Sequence, residues 1–426
     1  TRNTCDQQPE NRAGIFQPRT GKVSRPLKER KLLVVAVVSH AIVHICELSF
    51  PALQIMVAAE ILHNPAAYQK LGFAYFVATL VFGAMALPAG FLVDRIGQRR
   101  VLILFLFGAA ASMILVGTAQ SYLMLVLSLG LMGGFIGLYH PAGASLLSLA
   151  TRKQGAAMGI HGVGGNFGLA ISPLLASGLA AWLGWRLAFA GLGLLPLFCG
   201  LWVLVDRSIK VELKAAPEDT DNLDRPDPKL FLLPLLVLFL MATLNGMCYR
   251  GFSAFLPAFF KLKIPAGTIP LVSGLVQAGS FTTLVLIAGM VSQFLGGKLA
   301  DRFVKEKVFT AIFLLCAPFL FLLSRLEGIA LLLSATAFAF LYFANQPVSN
   351  ALLPNYVPRL MRGRLYGWFF FANFGAGSVM SWIAGTVAEK FSLAIIFEIL
   401  AAIAALTGIL GFLLVRVSRP DKKPEV

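Results

Sequence analysis

Twelve apolar runs, each long enough to cross a bilayer, divide this chain and leave it few alternatives. A helix needs roughly 20 apolar residues to span the hydrocarbon core. Such runs fall at about 32–58, 71–92, 100–118, 121–148, 156–181, 185–205, 230–260, 270–297, 307–324, 328–350, 363–388 and 391–416. Inside a membrane every backbone N–H and C=O must find a partner within the protein, which leaves helices and closed barrels. Runs this long predict helices, so the expected fold is an all-α membrane protein of twelve transmembrane helices. Only 13% of the residues are charged and 58% are hydrophobic. A soluble domain carries about 25% charged residues, so this chain could not cover a soluble surface.

The net charge of +16 does not point to nucleic acid, because the basic residues sit in short loops between apolar runs. Cytoplasmic loops are enriched in Lys and Arg. With both termini placed inside, 29 of the 36 basic residues fall on the cytoplasmic side. The outer loops and rims hold Lys70, Arg186, Lys261, Lys263, Arg325 and Lys390, and Arg250 alone lies deep in a span. Residues 206–229 carry Pro217, Pro226, Pro228 and seven acids, the composition of a solvated linker. The expected organisation is a basic cytoplasmic tail (1–31), a six-helix bundle (32–205), a cytoplasmic linker (206–229), a second six-helix bundle (230–416) and a short cytoplasmic tail (417–426). Four of the five cysteines lie in apolar runs and none forms a CxxC pair, so they read as small buried residues.

The two halves repeat. Gly90, Leu92, Asp94 and Arg95 recur 207 positions later as Gly297, Leu299, Asp301 and Arg302; Asn166-Phe167-Gly168 recurs at the same offset as Asn373-Phe374-Gly375. Pro141 has a counterpart in Pro347. Internal repeats of this kind mark secondary transporters, with the substrate site between the halves near the midplane.

The stretch from Gly90 to Arg100 closely resembles the loop 2–3 signature of the major facilitator superfamily, with a degenerate copy at Gly297–Lys307. Here Gly90 would permit close helix packing, and Asp94 would face the positive end of a neighbouring helix. Arg95, Arg99 and Arg100 would pair with acids or lipid phosphates. Gly159, Gly168, Ser172-Pro173 and Ala176-Ser177 follow the spacing of the superfamily's antiporter signature. Ser39-His40, Tyr139-His140-Pro141 and Val163 to Gly168 resemble its fosmidomycin-resistance branch of proton-coupled drug exporters. That branch tends to have an acid or amide near position 44, where this chain has His44. The resemblance implies the twelve-helix fold and a cavity lined by spans one, four, seven and ten. It also implies an inner bacterial membrane and a monomer.

Ionisable groups inside a span are costly and read as functional. His40, His44 and Glu47 stand at i, i+4 and i+7, on one face of the first helix. His can change charge near neutral pH, so the trio suits a proton relay, with Glu47 the coupling carboxylate. Asn245, Tyr249 and Arg250 share span seven, and Asn345 and Gln346 add amides from span ten. Arg250 is expected to pair with Glu47 in one state or to hold an anionic substrate through its planar fork. Gln277 is a weaker cavity candidate, and Glu398 reads as a rim residue. His140 and His161 reach similar depths and form, with Gly90, Asp94, Arg95, Asn166, Pro173, Asp301 and Arg302, the candidate gating set.

Three function classes meet this pattern. The first is a proton-coupled antiporter exporting a small amphipathic or anionic organic solute. The second is a transition-metal transporter using His40, His44 and Glu47, because imidazole suits such ions; Cys46 and Cys248 are soft groups in the same two spans. The third, a membrane enzyme or receptor, finds no matched nucleophile and base and no ATP-binding loop. No cofactor is expected beyond the proton gradient, and the expected partners are a small-molecule or ion substrate and the bilayer.

Overall fold

The computed structural model describes residues 26–150, 154–209, 228–356 and 362–417. Thirteen α-helices follow one another: α1 (Pro26–Ile61), α2 (Tyr68–Ile96), α3 (Gln98–Gly117), α4 (Tyr122–Gly137), α5 (Tyr139–Ala150), α6 (Gln154–Val205), α7 (Pro228–Lys263), α8 (Gly274–Arg302), α9 (Lys305–Arg325), α10 (Gly328–Tyr356), α11 (Arg362–Phe370), α12 (Val379–Lys390) and α13 (Leu393–Val417). A π turn (Phe371–Gly375) and a 3₁₀ turn (Ala376–Ser378) join α11 to α12. Among the described residues, ten helical segments are long and apolar enough to cross a membrane. One of them is long enough for two crossings, and the broken stretch 362–390 supplies a further one, in keeping with twelve spans.

The breaks have local causes. Pro141 has no N–H to offer the carbonyl of Gly137, and the fourth span divides there into α4 and α5, with Leu138 in a turn. Helix α6 holds spans five and six in one 52-residue element, interrupted only at Gly184 with φ 77° and ψ 162°. That left-handed φ suits glycine alone among common residues. The reversal is pinned from outside. Glu60 accepts from Trp185 Nε1 at 2.6 Å and Arg186 Nε at 2.8 Å, while Arg186 Nη1 reaches the carbonyls of Gly117 and Ala119.

Helix α1 begins at Pro26, within the stretch 1–31 expected as the basic tail. Of the expected linker, 210–227 lies outside the described residues, as do 1–25 and the tail beyond Val417.

Two halves are evident in the packing. Helix α6 lies along α1 and α3, and α2 along α4; in the second half α13 packs on α7 and α9, and α10 on α8. Between the halves, α6 meets α8, α2 meets α12 and the π turn, and α1 meets α7. The outer surface is apolar, with Trp182, Phe198, Leu123 and Phe294 among its exposed side chains, as hydrocarbon requires.

Most described contacts between the halves lie toward the face opposite the termini. There Gln54 Nε2 donates to the Ala254 carbonyl at 2.5 Å, and Glu389 accepts from the Gln69 backbone at 2.8 Å. Gly72 lies against the Ser381 carbonyl, and Gly279 against Pro173 and Ser177. At the face bearing the termini, Asp94, Arg95, Asp301 and Arg302 are all exposed.

Candidate functional site

Helix α1 brings His40, His44 and Glu47 onto one face, and the side chains join in series. His44 Nδ1 lies 2.5 Å from Glu47 Oε2, and His44 Nε2 lies 3.2 Å from His40 Nε2. Across the gap between the halves, Arg250 Nη1 donates to Glu47 Oε1 and, at 3.4 Å, to the Tyr75 hydroxyl. Glu47 is 2% exposed and Arg250 0%, so the pair is fully withdrawn from solvent. Three rings surround the guanidinium, with centroids 5.8 Å (Phe82), 5.2 Å (Tyr249) and 5.8 Å (Phe374) from Cζ. Such rings attract a cation through their π faces. Two guanidinium nitrogens, Nε and Nη2, remain buried without a partner, as do the Tyr249 hydroxyl and Asn245 Oδ1.

The histidines gather at the other end of the chain of contacts. His161 stacks on His40 at 4.1 Å, and His140 stands edge-on to it at 5.2 Å. His40 Nδ1 is 2.8 Å from the His161 carbonyl. Tyr139 donates its hydroxyl proton to the Ala36 carbonyl and accepts from His161 Nε2 at 2.8 Å. The run Val163–Gly168 has its reason here: a Cβ on Gly165 would lie 2.3 Å from the His40 ring. Glycine at that place lets α6 come down onto α1 with the imidazole between them.

Other expected cavity residues lie apart from this network. Asn245 is near it but bonds Asn373 Oδ1 at 3.1 Å. Asn345 donates to Ser349 at 2.8 Å, and Gln346 is exposed and accepts from Gln293 at 2.5 Å. Gln277 spans the loop before α8, bonding the Ile269 backbone and the Pro265 carbonyl. Glu398 pairs with Arg325 at 3.0 Å, partly exposed.

The candidate gating residues and Arg99 make varied contacts in this arrangement. A Cβ on Gly90 would meet nothing within 4 Å among the described residues, so none of their packing requires a glycine there. Arg99 donates to the carbonyls of Val203 and Leu204, tying α3 to the end of α6 rather than pairing with an acid. Arg302 lies 5.7 Å from the ring of its neighbour Phe303. Asn166 bonds the Gly162 carbonyl of its own helix at 2.8 Å. Pro173 offers its carbonyl to the α8 seam at Gly279.

Sequence reading did not single out Tyr75, Phe82 or Phe374, although they enclose Arg250. An aromatic at helical spacing reads as core until a partner helix is placed beside it. The signal for Phe374 lay in the Asn-Phe-Gly repeat.

A polytopic bundle of two similar halves, joined at mid-depth by a buried ion pair, has the architecture of a secondary transporter. The comparisons agree. The chain belongs to the major facilitator superfamily, whose family model matches residues 32–324 and 273–426. It is similar to the multidrug resistance protein MdtG of Enterobacter lignolyticus, 29% identical over 249 residues, which covers 55% of this chain and 56% of that protein. A probable sulfoacetate transporter, SauU of Cupriavidus necator, is 28% identical and matches over 56% of this chain and 57% of its own length. The chain thus spans a little over half the length of these curated relatives. A solved bacterial homologue of the human lysosomal transporter Spinster, in an inward-facing and occupied conformation, superposes with a TM-score of 0.75. It covers 93% of this chain and 99% of its own at 13% identity, a likeness of fold. The family and these relatives are transporters, not enzymes.

Proposed function

We propose that the protein is a proton-coupled antiporter that exports a small amphipathic or anionic organic solute by alternating access. The observation that carries this reading is the position of Glu47, held at once by His44 of its own half and by Arg250 of the other. A proton that neutralises Glu47 weakens the link between the halves. A solute anion on Arg250 competes for the same guanidinium, whose Nε and Nη2 are free to receive it. Proton and solute therefore act on one contact, which is the requirement for exchange. The names of the relatives, multidrug resistance and probable sulfoacetate transport, support an organic solute. The basic residues gathered near the termini support a cytoplasmic placement of both, in an inner bacterial membrane. The working unit is a monomer, and the proton gradient is its energy source.

Glu47→Gln is the test. Protein is reconstituted in liposomes under a pH gradient, with sulfoacetate as the anionic probe and ethidium as the amphipathic one. Wild type is expected to dissipate the gradient when its solute is added; Glu47→Gln, still folded by size-exclusion chromatography, is expected to fall to background. Wild-type exchange in the variant with an unchanged pH dependence would remove Glu47 from the coupling role.

A further inference from the structure

The proton assignments around the histidines follow from their partners. A carbonyl can only accept, so the contact with the His161 carbonyl places a proton on His40 Nδ1. A neutral His40 then turns a bare lone pair outward at Nε2. Glu47, ionised beside Arg250, likewise takes the proton of His44 Nδ1, and a neutral His44 also presents a lone pair at Nε2. These two nitrogens face each other at 3.2 Å. Two lone pairs at that distance repel unless a cation lies between them. A proton would satisfy these two and no more. A third imidazole is at hand: one nitrogen from each of His40, His44 and His140 lies within 4.8 Å of the others. His140 Nε2 is buried with no hydrogen-bond partner.

We infer that His40, His44 and His140 form a binding site for one divalent transition-metal ion within the first half. The donor set is imidazole, which suits zinc, cobalt, nickel and copper. Zn–N bonds of about 2.0–2.1 Å set tetrahedral nitrogens roughly 3.3 Å apart, close to the separation of the two Nε2 atoms. The outer partners have the form such sites require. A metal-bound histidine gives its second N–H to a carboxylate or a backbone carbonyl, which fixes the ring and its tautomer. Glu47 does this for His44 and the His161 carbonyl for His40. The structure therefore changes the donor set expected from sequence: Glu47 supports a ligand and His140 supplies one. Three protein donors leave a fourth position for water or a solute. All three come from α1 and α5, so the ion would travel with one half. Through His44 and Glu47 its charge is felt at the Arg250 contact. The site does not depend on which solute or coupling ion the transporter uses.

The test is equilibrium binding of cobalt(II) to the full chain in detergent, purified without a histidine tag and stripped with chelator. Wild type is expected to bind one equivalent saturably, with the visible ligand-field bands of a tetrahedral nitrogen site. His140→Ala, which deletes a donor, is expected to lose the bands. Glu47→Gln, which removes the outer partner, is expected to weaken binding by about 10- to 100-fold. His63→Ala, outside the cluster, is expected to change nothing. X-ray absorption of the wild-type complex needs no variant and should show a shell of imidazole nitrogens. No saturable binding in wild type would mean that the facing nitrogens share a proton, and would overturn the site. Binding that survives His140→Ala, or a shell without imidazole, would overturn it equally. No gradient is present, so these outcomes are independent of the antiport reading.

Discussion

Glu47→Gln is expected to cost more stability than Arg250→Met, and the double replacement less than either. Removing one partner of a buried ion pair costs about 3–5 kcal/mol, because a charge is left without compensation. The two singles are not equivalent. When Arg250 is removed, Glu47 keeps His44 at 2.5 Å. The histidine can take a proton and replace the lost cation, or Glu47 can take one and become neutral. When Glu47 is removed, Arg250 has no such escape, because its guanidinium does not deprotonate. It keeps the Tyr75 hydroxyl and the three surrounding rings, which attract a cation but do not neutralise it. The double variant Glu47→Gln/Arg250→Met leaves no buried charge, and replacing both members of such a pair is often neutral or stabilising. Thermal unfolding in detergent, followed by tryptophan fluorescence, gives the order of the four proteins. Equal losses for the two singles would mean that His44 does not compensate. A double variant less stable than both singles would mean that the pair contributes net stability, not only specificity.

The ion pair shows how far a sequence of this kind can be read. A lone arginine deep in an apolar run needs a partner, and the sequence offers two for Arg250, Glu47 or an anionic substrate; the structure shows the first. The i, i+4, i+7 spacing placed both histidines with Glu47 because helical geometry is local. Interhelical distances are not local, and there the reading weakened. Asn345 and Gln346 follow one another in span ten, yet point about 100° apart on a helix. Only packing decides which of them, if either, faces the centre, and both find partners within the second half. From sequence His140 reads as a gate because it and His161, on spans that run in opposite directions, reach similar depths. Its approach to His40 is set by how the fourth span packs against α1, which no periodicity reveals. The repeat itself misleads in one place. Asn166-Phe167-Gly168 continues an α-helix, whereas Asn373-Phe374-Gly375 lies in a π turn. There the Asn373 side chain bonds Asn245 rather than its own helix.

A leucine at Gly83, at mid-depth, or at Gly279, toward the face opposite the termini, is expected to hold the halves apart there and to stop turnover. These glycines lie on seams between the halves. A Cβ at Gly83 would come within 2.3 Å of the Gly375 nitrogen and 2.5 Å of its Cα. A Cβ at Gly279 would lie 2.1 Å from Ser177 Oγ and 2.7 Å from the Pro173 carbonyl. Most of these obstacles are backbone, which cannot swing aside as a side chain can. Overpacking costs about 1–3 kcal/mol where a core can adjust, and these seams adjust little. Each 1.4 kcal/mol is about tenfold in an equilibrium constant. A cost near 3 kcal/mol therefore shifts the populations about 100-fold toward an arrangement with this face parted. In the proposed alternating-access cycle these seams must close once per turnover, so transport fails. Spin labels at Asn64 and Phe391, both exposed at this face in opposite halves, measure the shift. The expected result is a longer distance distribution in Gly83→Leu and Gly279→Leu. Gly178→Leu, where a Cβ meets nothing within 4 Å, should match wild type. If the seam variants keep the wild-type distances while folded, the seams are not what closes this face. The closing force would then have to come from polar contacts such as Gln54 with Ala254, and the weight of the mechanism would move from packing to hydrogen bonding.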